Sequence, residues 1–388
     1  MRDVGSVTSL LKRGKAPTYV ESGGMLVMNQ KCVRSDNVIH WFPARRTQPV
    51  KELPEELFVQ PGDVLICSTG LGTMGRAAGV VEVPEPSTVD SHVTIARANQ
   101  HEVLAPYLAL VLSSRFAELE SLGSGSTKQT ELSVSAIGSV MFPCPPHDEQ
   151  RRIVDLVAAI DDAIEAASSK SAVGLHGQVL ESWMEQPGRP LSEAVALRRD
   201  GEAVDQEGLY RILGILRSGE GFIDRGEIKG SETSYPTLYR VRPNQLVYRK
   251  LTAWEGPISV STDAEDGGWV SNEFPVFDID ADVLLPDLLR HMCRWPGLWH
   301  MIGQRLVGSV QRRKRLNPDA LLGIELPMPD LDAQQVTCGV LDELWAAHQA
   351  RIETANRLRD LRSNLLTVLL SGEHEIPESY DELMEEVA

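Results

Sequence analysis

Apolar residues recur at three- and four-residue intervals in two stretches of this 388-residue chain. In "HDEQRRIVDLVAAIDDAIEAA" (147–167), Ile153, Leu156, Ile160, Ala163 and Ala167 fall on one helical face. Near the C-terminus Leu358, Leu361, Leu365 and Val368 continue the same kind of stripe. A stripe this narrow fits helix-against-helix pairing as well as ordinary core packing. Asp148 and Glu149 fall in the first turn of the earlier helix, where carboxylates meet the positive end of the helix dipole. Ahead of it, "GDVLICSTG", "GRAAGVVEV" and "VTIARA" are short β-branched runs bounded by Gly and Pro, the pattern of strands. "APYLALVLSSRFAELE" and "LPDLLRHMCRWPGLWHMIGQRL" predict further helices. The mixture places the chain in the α+β class.

The pattern occurs twice. "LSVSAIGSVMFPCPPHDEQ" (132–150) aligns without a gap on "LNPDALLGIELPMPDLDAQ" (316–334), sharing Leu132/Leu316, Pro143/Pro327, Pro145/Pro329, Asp148/Asp332 and Gln150/Gln334. "VQPGDVLI" (59–66) parallels "VRPNQLVY" (241–248), "VDSHVTI" parallels "VSNEFPVF", and "LAPYLALVL" parallels "LLPDLLRHM", in the same order. A unit this long is a duplicated domain rather than a solenoid repeat.

Composition narrows the function classes. Net charge is −17, which argues against a nucleic-acid partner, yet residues 373–388 carry seven acids and no base. With the acid excess concentrated there, a locally basic face elsewhere remains open. No run of the length of a membrane span is present, and the N-terminus has no apolar signal region. Five scattered Cys form no CxxC pair, so neither zinc nor a disulfide framework is expected, and a cytoplasmic setting fits.

These fragments together resemble the specificity subunit of type I restriction-modification systems: a globular half, Pro-x-Pro, a Gln-containing helix start, a long helix, then all of it again. The resemblance implies two tandem target-recognition domains of mixed strands and helices, separated by long helices pairing as an antiparallel coiled coil. The boundaries are 1–145 and 188–329 for the recognition domains, 146–187 and 330–372 for the helices, and 373–388 for an acidic tail. It implies a non-catalytic reader of a bipartite, asymmetric target in double-stranded DNA. The helices would measure the spacer and dock two methyltransferase subunits, through Ile153, Leu156, Ile160, Leu358, Leu361 and Leu365. S-adenosylmethionine would sit only on those subunits, and ATP on restriction/translocase subunits; this chain would hold no cofactor. Ala333 departs from the family's acidic residue, which Glu149 supplies in the first half. An adaptor of another phage-defence system is the alternative.

The residues agree with a reader in what they lack. "GSGSTKQT" (123–130) invites a phosphate-binding reading, but Lys128 follows Thr127 rather than Gly, and Gln129 stands where a Mg²⁺-binding hydroxyl is needed. No Asn/Asp-Pro-Pro-aromatic motif and no Gly-x-Gly-x-x-Gly after a strand occur, and Asp90 and His92 lack a catalytic constellation. In the second half the Gly-Ser loop becomes "GSVQRRKRL". Lys128 and Gln129, and Gln311, Arg312, Arg313, Lys314 and Arg315, are therefore candidates for phosphate and base contact. Thr73 and Arg76 in "STGLGTMGR", Arg249 and Lys250 in "YRKLTAWEG", and His92 are a second group, with the glycines of the first loop letting backbone approach the duplex. Trp254 reads more as core than as surface. Arg45 and Arg46 offer phosphate contacts.

Overall fold

The computed structural model describes residues 1–34, 38–48, 53–125, 130–168, 171–308 and 314–382. Lys128, Gln129, Gln311, Arg312 and Arg313 lie outside the described residues. The chain forms two compact units, Met1–Ala167 with Thr354–Ala388, and Ser168–Glu353.

The first unit carries strands β1 (Arg2–Asp3), β2 (Thr8–Arg13), β3 (Tyr19–Val20), β4 (Met25–Met28), β5 (Arg45–Thr47), β6 (Asp63–Cys67), β7 (Ala77–Gly79), β8 (Ser87–Val89), β9 (Val93–Ala98) and β10 (Met141–Phe142). Its helices are α1 (Val4–Val7), α2 (Ala105–Ser114), α3 (Phe116–Ser121), α4 (Val134–Gly138) and α5 (His147–Ser168). One sheet runs β2-β9-β6-β7 and a second β3-β5-β4-β8. "DVLIC" is apolar on both faces because β6 is covered on both. Val64 and Ile66 point into a core shared with α2, α4 and α5, while Leu65 and Cys67 point into the core shared with the second sheet. Burial pushes the Cys67 thiol up to about 12, so it packs as a small apolar group.

The second unit repeats this plan. Its strands are β11 (Gly188–Pro190), β12 (Val195–Leu197), β13 (Glu202–Ala203), β14 (Leu209–Ile215), β15 (Phe222–Lys229), β16 (Thr237–Arg240), β17 (Gln245–Tyr248), β18 (Ile258–Val260), β19 (Trp269–Val270), β20 (Val276–Ile279) and β21 (Glu325–Pro327). Its helices are α6 (Ser171–Trp183), α7 (Pro286–Cys293), α8 (Pro296–Gly303), α9 (Pro318–Leu322) and the first part of α10 (Leu331–Leu369). The sheets run β12-β20-β17-β18 and β13-β16-β19-β14-β15. Leu246 and Tyr248 face the helical core and Val247 the other sheet, the alternation of β6 over again.

The duplicated Pro-x-Pro motif has the same physical role in both units. Leu104 and Leu285, which precede α2 and α7, offer no side chain to cap their helices. Gln150 accepts the Leu104 amide at 2.8 Å and donates to the Pro145 carbonyl at 2.8 Å. Gln334 accepts the Leu285 amide at 2.9 Å and donates to the Pro329 and Val283 carbonyls, each at 2.8 Å. A buried amide thus satisfies backbone groups at the root of each long helix.

In the first unit α5 and the last part of α10 run antiparallel, with Arg362 bidentate on Asp161 at 2.5 and 2.9 Å. The packed face differs from the expected stripe. Val157 joins Ile153 and Ile160 in burial, and on α10 Ala355, Leu366 and Leu369 are buried while Leu361 and Val368 are exposed. A 3.6-residue period drifts off a strict 3,4 stripe over several turns, and the helix also turns Arg362 towards Asp161. The acidic segment after α10 packs onto its own unit through residue 382. Ile376 is buried, its amide donates to Glu149 at 2.7 Å, and Arg152 bridges Glu149 and Asp381.

Candidate nucleic-acid interface

Described residues of the segments singled out in the sequence are joined by backbone hydrogen bonds in each unit, and the joining is duplicated. In the first unit the β6–β7 hairpin, the turn before β9 and the Gly-Ser loop meet. Glu131 bridges to both Thr69 and Ser124, the Leu132 amide donates to the Ser68 carbonyl, and the Ser68 amide donates to the His92 carbonyl. In the second unit Arg315 bridges to Leu251 and Val307, the Leu316 amide donates to the Lys250 carbonyl, and the Lys250 amide donates to the Glu273 carbonyl. The same backbone frame therefore holds different side chains: His92 against Glu273, Glu131 against Arg315. A constant frame with exchanged side chains can present two chemically different surfaces.

Several candidate side chains are engaged within this frame. Thr73 donates to the carbonyls of Thr69 and Gly70 and shapes its own turn, and Arg76 donates to the Gly72 carbonyl at 2.7 Å. Arg249 holds Thr252 and Glu255 at 2.6 and 3.2 Å, Lys250 donates to the Asn272 carbonyl at 2.7 Å, and Arg315 pairs with Glu273 at 2.9 Å. His92 Nδ1 meets the Thr69 hydroxyl at 2.8 Å. Arg46 is bidentate on Glu85 at 2.7 and 3.1 Å, whereas Arg45, its neighbour on the other face of β5, lies over the Tyr19 ring. Lys314 offers its carbonyl to the Thr252 amide.

Two of the three glycines of the first loop are required by the turn itself. Gly75 has φ of +90°, and a Cβ there would lie 2.9 Å from the Glu120 amide nitrogen. Of the three, Gly72 alone faces open space. The hairpin tips carry exposed apolar side chains instead: Leu71 in the first unit and, contrary to the core assignment, Trp254 in the second.

Residues that sequence reasoning missed complete the first unit's surface. Arg13 donates to the Ser91 carbonyl and pairs with Glu131. Tyr19 donates its hydroxyl to Asp90 at 3.3 Å, and the same carboxylate accepts the His92 amide at 2.8 Å. Burial holds the Asp90 carboxyl above its ordinary range, against the opposing pull of that amide. Gln30 and Lys31 line a recess with Tyr19, Arg45, Asp90 and His92. No spacing rule in "APTYV" or "MNQKC" marks these residues, because strand pairing brings them together. Among the described residues no group of His, Cys, Asp and Glu could hold a metal ion, and no helix is long and apolar enough to cross a membrane.

Residues 28–172 match the family model of the type I restriction modification DNA specificity domain. Among solved structures the chain is similar to the type I restriction-modification S subunit from M. genitalium, with TM-score 0.54, 13% identity, and 95% of each chain covered. It is also similar to a chain from a structure describing complex assembly and conformational transition of the type I R-M system. There the TM-score is 0.58 at 17% identity, covering 96% of this chain and 97% of that one. At these identities the likeness is one of fold. No curated protein matches the sequence.

Proposed function

We propose that this chain is a specificity subunit of a type I restriction-modification system and reads a bipartite, asymmetric DNA target, one half with each unit; the match of residues 28–172 to the specificity-domain model and the likeness of fold support the reading. The observation that carries the reading is the duplicated loop frame with exchanged side chains. Two copies of one scaffold bearing His92 and Glu131 in one unit, and Glu273 and Arg315 in the other, suit two different half-sites. In this reading α5, α6 and α10 hold the readers at a set spacing and dock two methyltransferase subunits. Catalysis, with S-adenosylmethionine and ATP, then resides on methyltransferase and restriction/translocase partners in the cytoplasm.

The test is co-expression of the full chain with its methyltransferase partner, followed by sequencing of methylated sites. A single bipartite consensus with a fixed spacer supports the reading. Methylation without sequence preference, or a complex that binds a protein and no DNA, refutes it and favours the adaptor alternative.

A further inference from the structure

We propose that Arg45 is a base-reading residue of the first unit, aimed at a guanine, rather than a phosphate contact; this rests on the DNA-reading function above. Three observations single it out. Its guanidinium carbon lies over the Tyr19 ring, 3.5 Å from the centroid, a cation–π contact that holds the side chain against the ring. The ring is itself tethered: the Tyr19 hydroxyl donates to Asp90, whose other oxygen accepts the backbone amide of His92. Tyr19 and Asp90 are thus positioning residues.

The second observation is what Arg45 does not touch. Its neighbour Arg46 is spent on Glu85, and Arg13, Arg97, Arg115 and Arg152 also meet carboxylates. Among the described residues Arg45 meets none, and it is exposed. Apart from its hydrogen bond to the Tyr19 hydroxyl, the guanidinium is engaged by no carboxylate among the described residues, and it can present two parallel N–H groups that match O6 and N7 of guanine in the major groove. Third, Arg45 shares its recess with Gln30, Lys31 and His92, so the fork sits among other donors and acceptors rather than alone on a convex surface. A contact made only to phosphate needs charge and tolerates a mobile side chain; the ring contact and its tether add direction, which phosphate binding does not require.

The experiment is selection of bound duplexes from a randomised library by the full chain assembled with its methyltransferase partner. Wild type is compared with Arg45→Lys, Arg45→Ala and Tyr19→Leu. Arg45→Lys keeps the charge and loses the fork, so preference for guanine at one position of one half-site should fall roughly tenfold or more. The other half-site and the salt dependence of binding should stay as in wild type. Tyr19→Leu should weaken preference at that same position while the remaining consensus holds. An unchanged consensus in Arg45→Lys, with Arg45→Ala weakening all sequences equally and lowering the salt slope, makes Arg45 a phosphate contact and overturns the inference. A consensus unchanged in all three variants overturns it as well. If wild type itself selects no sequence, the DNA-reading function fails and the inference falls with it.

Discussion

The amide of Gln334 ties three backbone groups to the root of α10, and its removal should unseat the start of that helix. In Gln334→Ala the Leu285 amide and the Val283 and Pro329 carbonyls lose their partner together. A typical internal hydrogen bond contributes about 1 kcal/mol, and groups left unpaired cost somewhat more. Three bonds therefore set a loss of about 3 kcal/mol. For a domain of this size each kcal/mol moves the midpoint by about 2–4 °C, so the second unit should melt about 6–12 °C lower. Hydrogen exchange read by mass spectrometry localises the effect: peptides covering 283–293 and 329–338 should lose protection, while those of β6 and β9 should not. Gln150→Ala should give the mirror result in the first unit, where Gln150 satisfies the Leu104 amide and the Pro145 carbonyl. If Gln334→Ala melts within about 1 °C of wild type with protection intact, the glutamine is a passenger in the motif and the reasoning fails.

Burial, and next the nearby His291, hold His176 down at about 4, and burial likewise lowers His291. Histidines kept neutral in the folded state cost nothing above about pH 6.5; below it the unfolded chain takes up protons that the folded chain refuses. Stability of the second unit should fall as pH drops from about 6.5 towards 4, and thermal melts of His176→Gln across that window should show a shallower fall. Asp63 is fully buried and bidentate on Arg97 at 2.7 and 2.8 Å, so Asp63→Ala should cost about 3–5 kcal/mol in denaturant titration, whereas an unchanged midpoint would contradict the pairing. Truncation after Gly372 removes buried Ile376 and the Asp381 partner of Arg152. It should lower the first unit's stability by about 2 kcal/mol, and equal stability would show the segment to be unattached.

Sequence periodicity by itself determined that there are two units, that each joins strands to helices, and where the Pro-x-Pro and glutamine elements fall. Those features are local or are copied between halves, so alignment of the chain with itself exposes them. It also placed the strands in "GDVLICSTG" and "VTIARA" and the α5 stripe through Ile153 and Ile160, since periods of two and 3.6 are written in adjacent residues. Tertiary structure decided the rest. The last part of α10 joins the first unit because its apolar face meets Ile153 and Val157, a pairing across two hundred residues that no local spacing encodes. It also decided the partner of each basic residue within the chain: Arg46 and Arg315 meet carboxylates, while Arg45 rests on Tyr19. In the sequence all three are equal charges. Only strand pairing, which sets adjacent residues on opposite faces and brings distant carboxylates within reach, separates an arginine paired with a carboxylate from one resting on an aromatic ring.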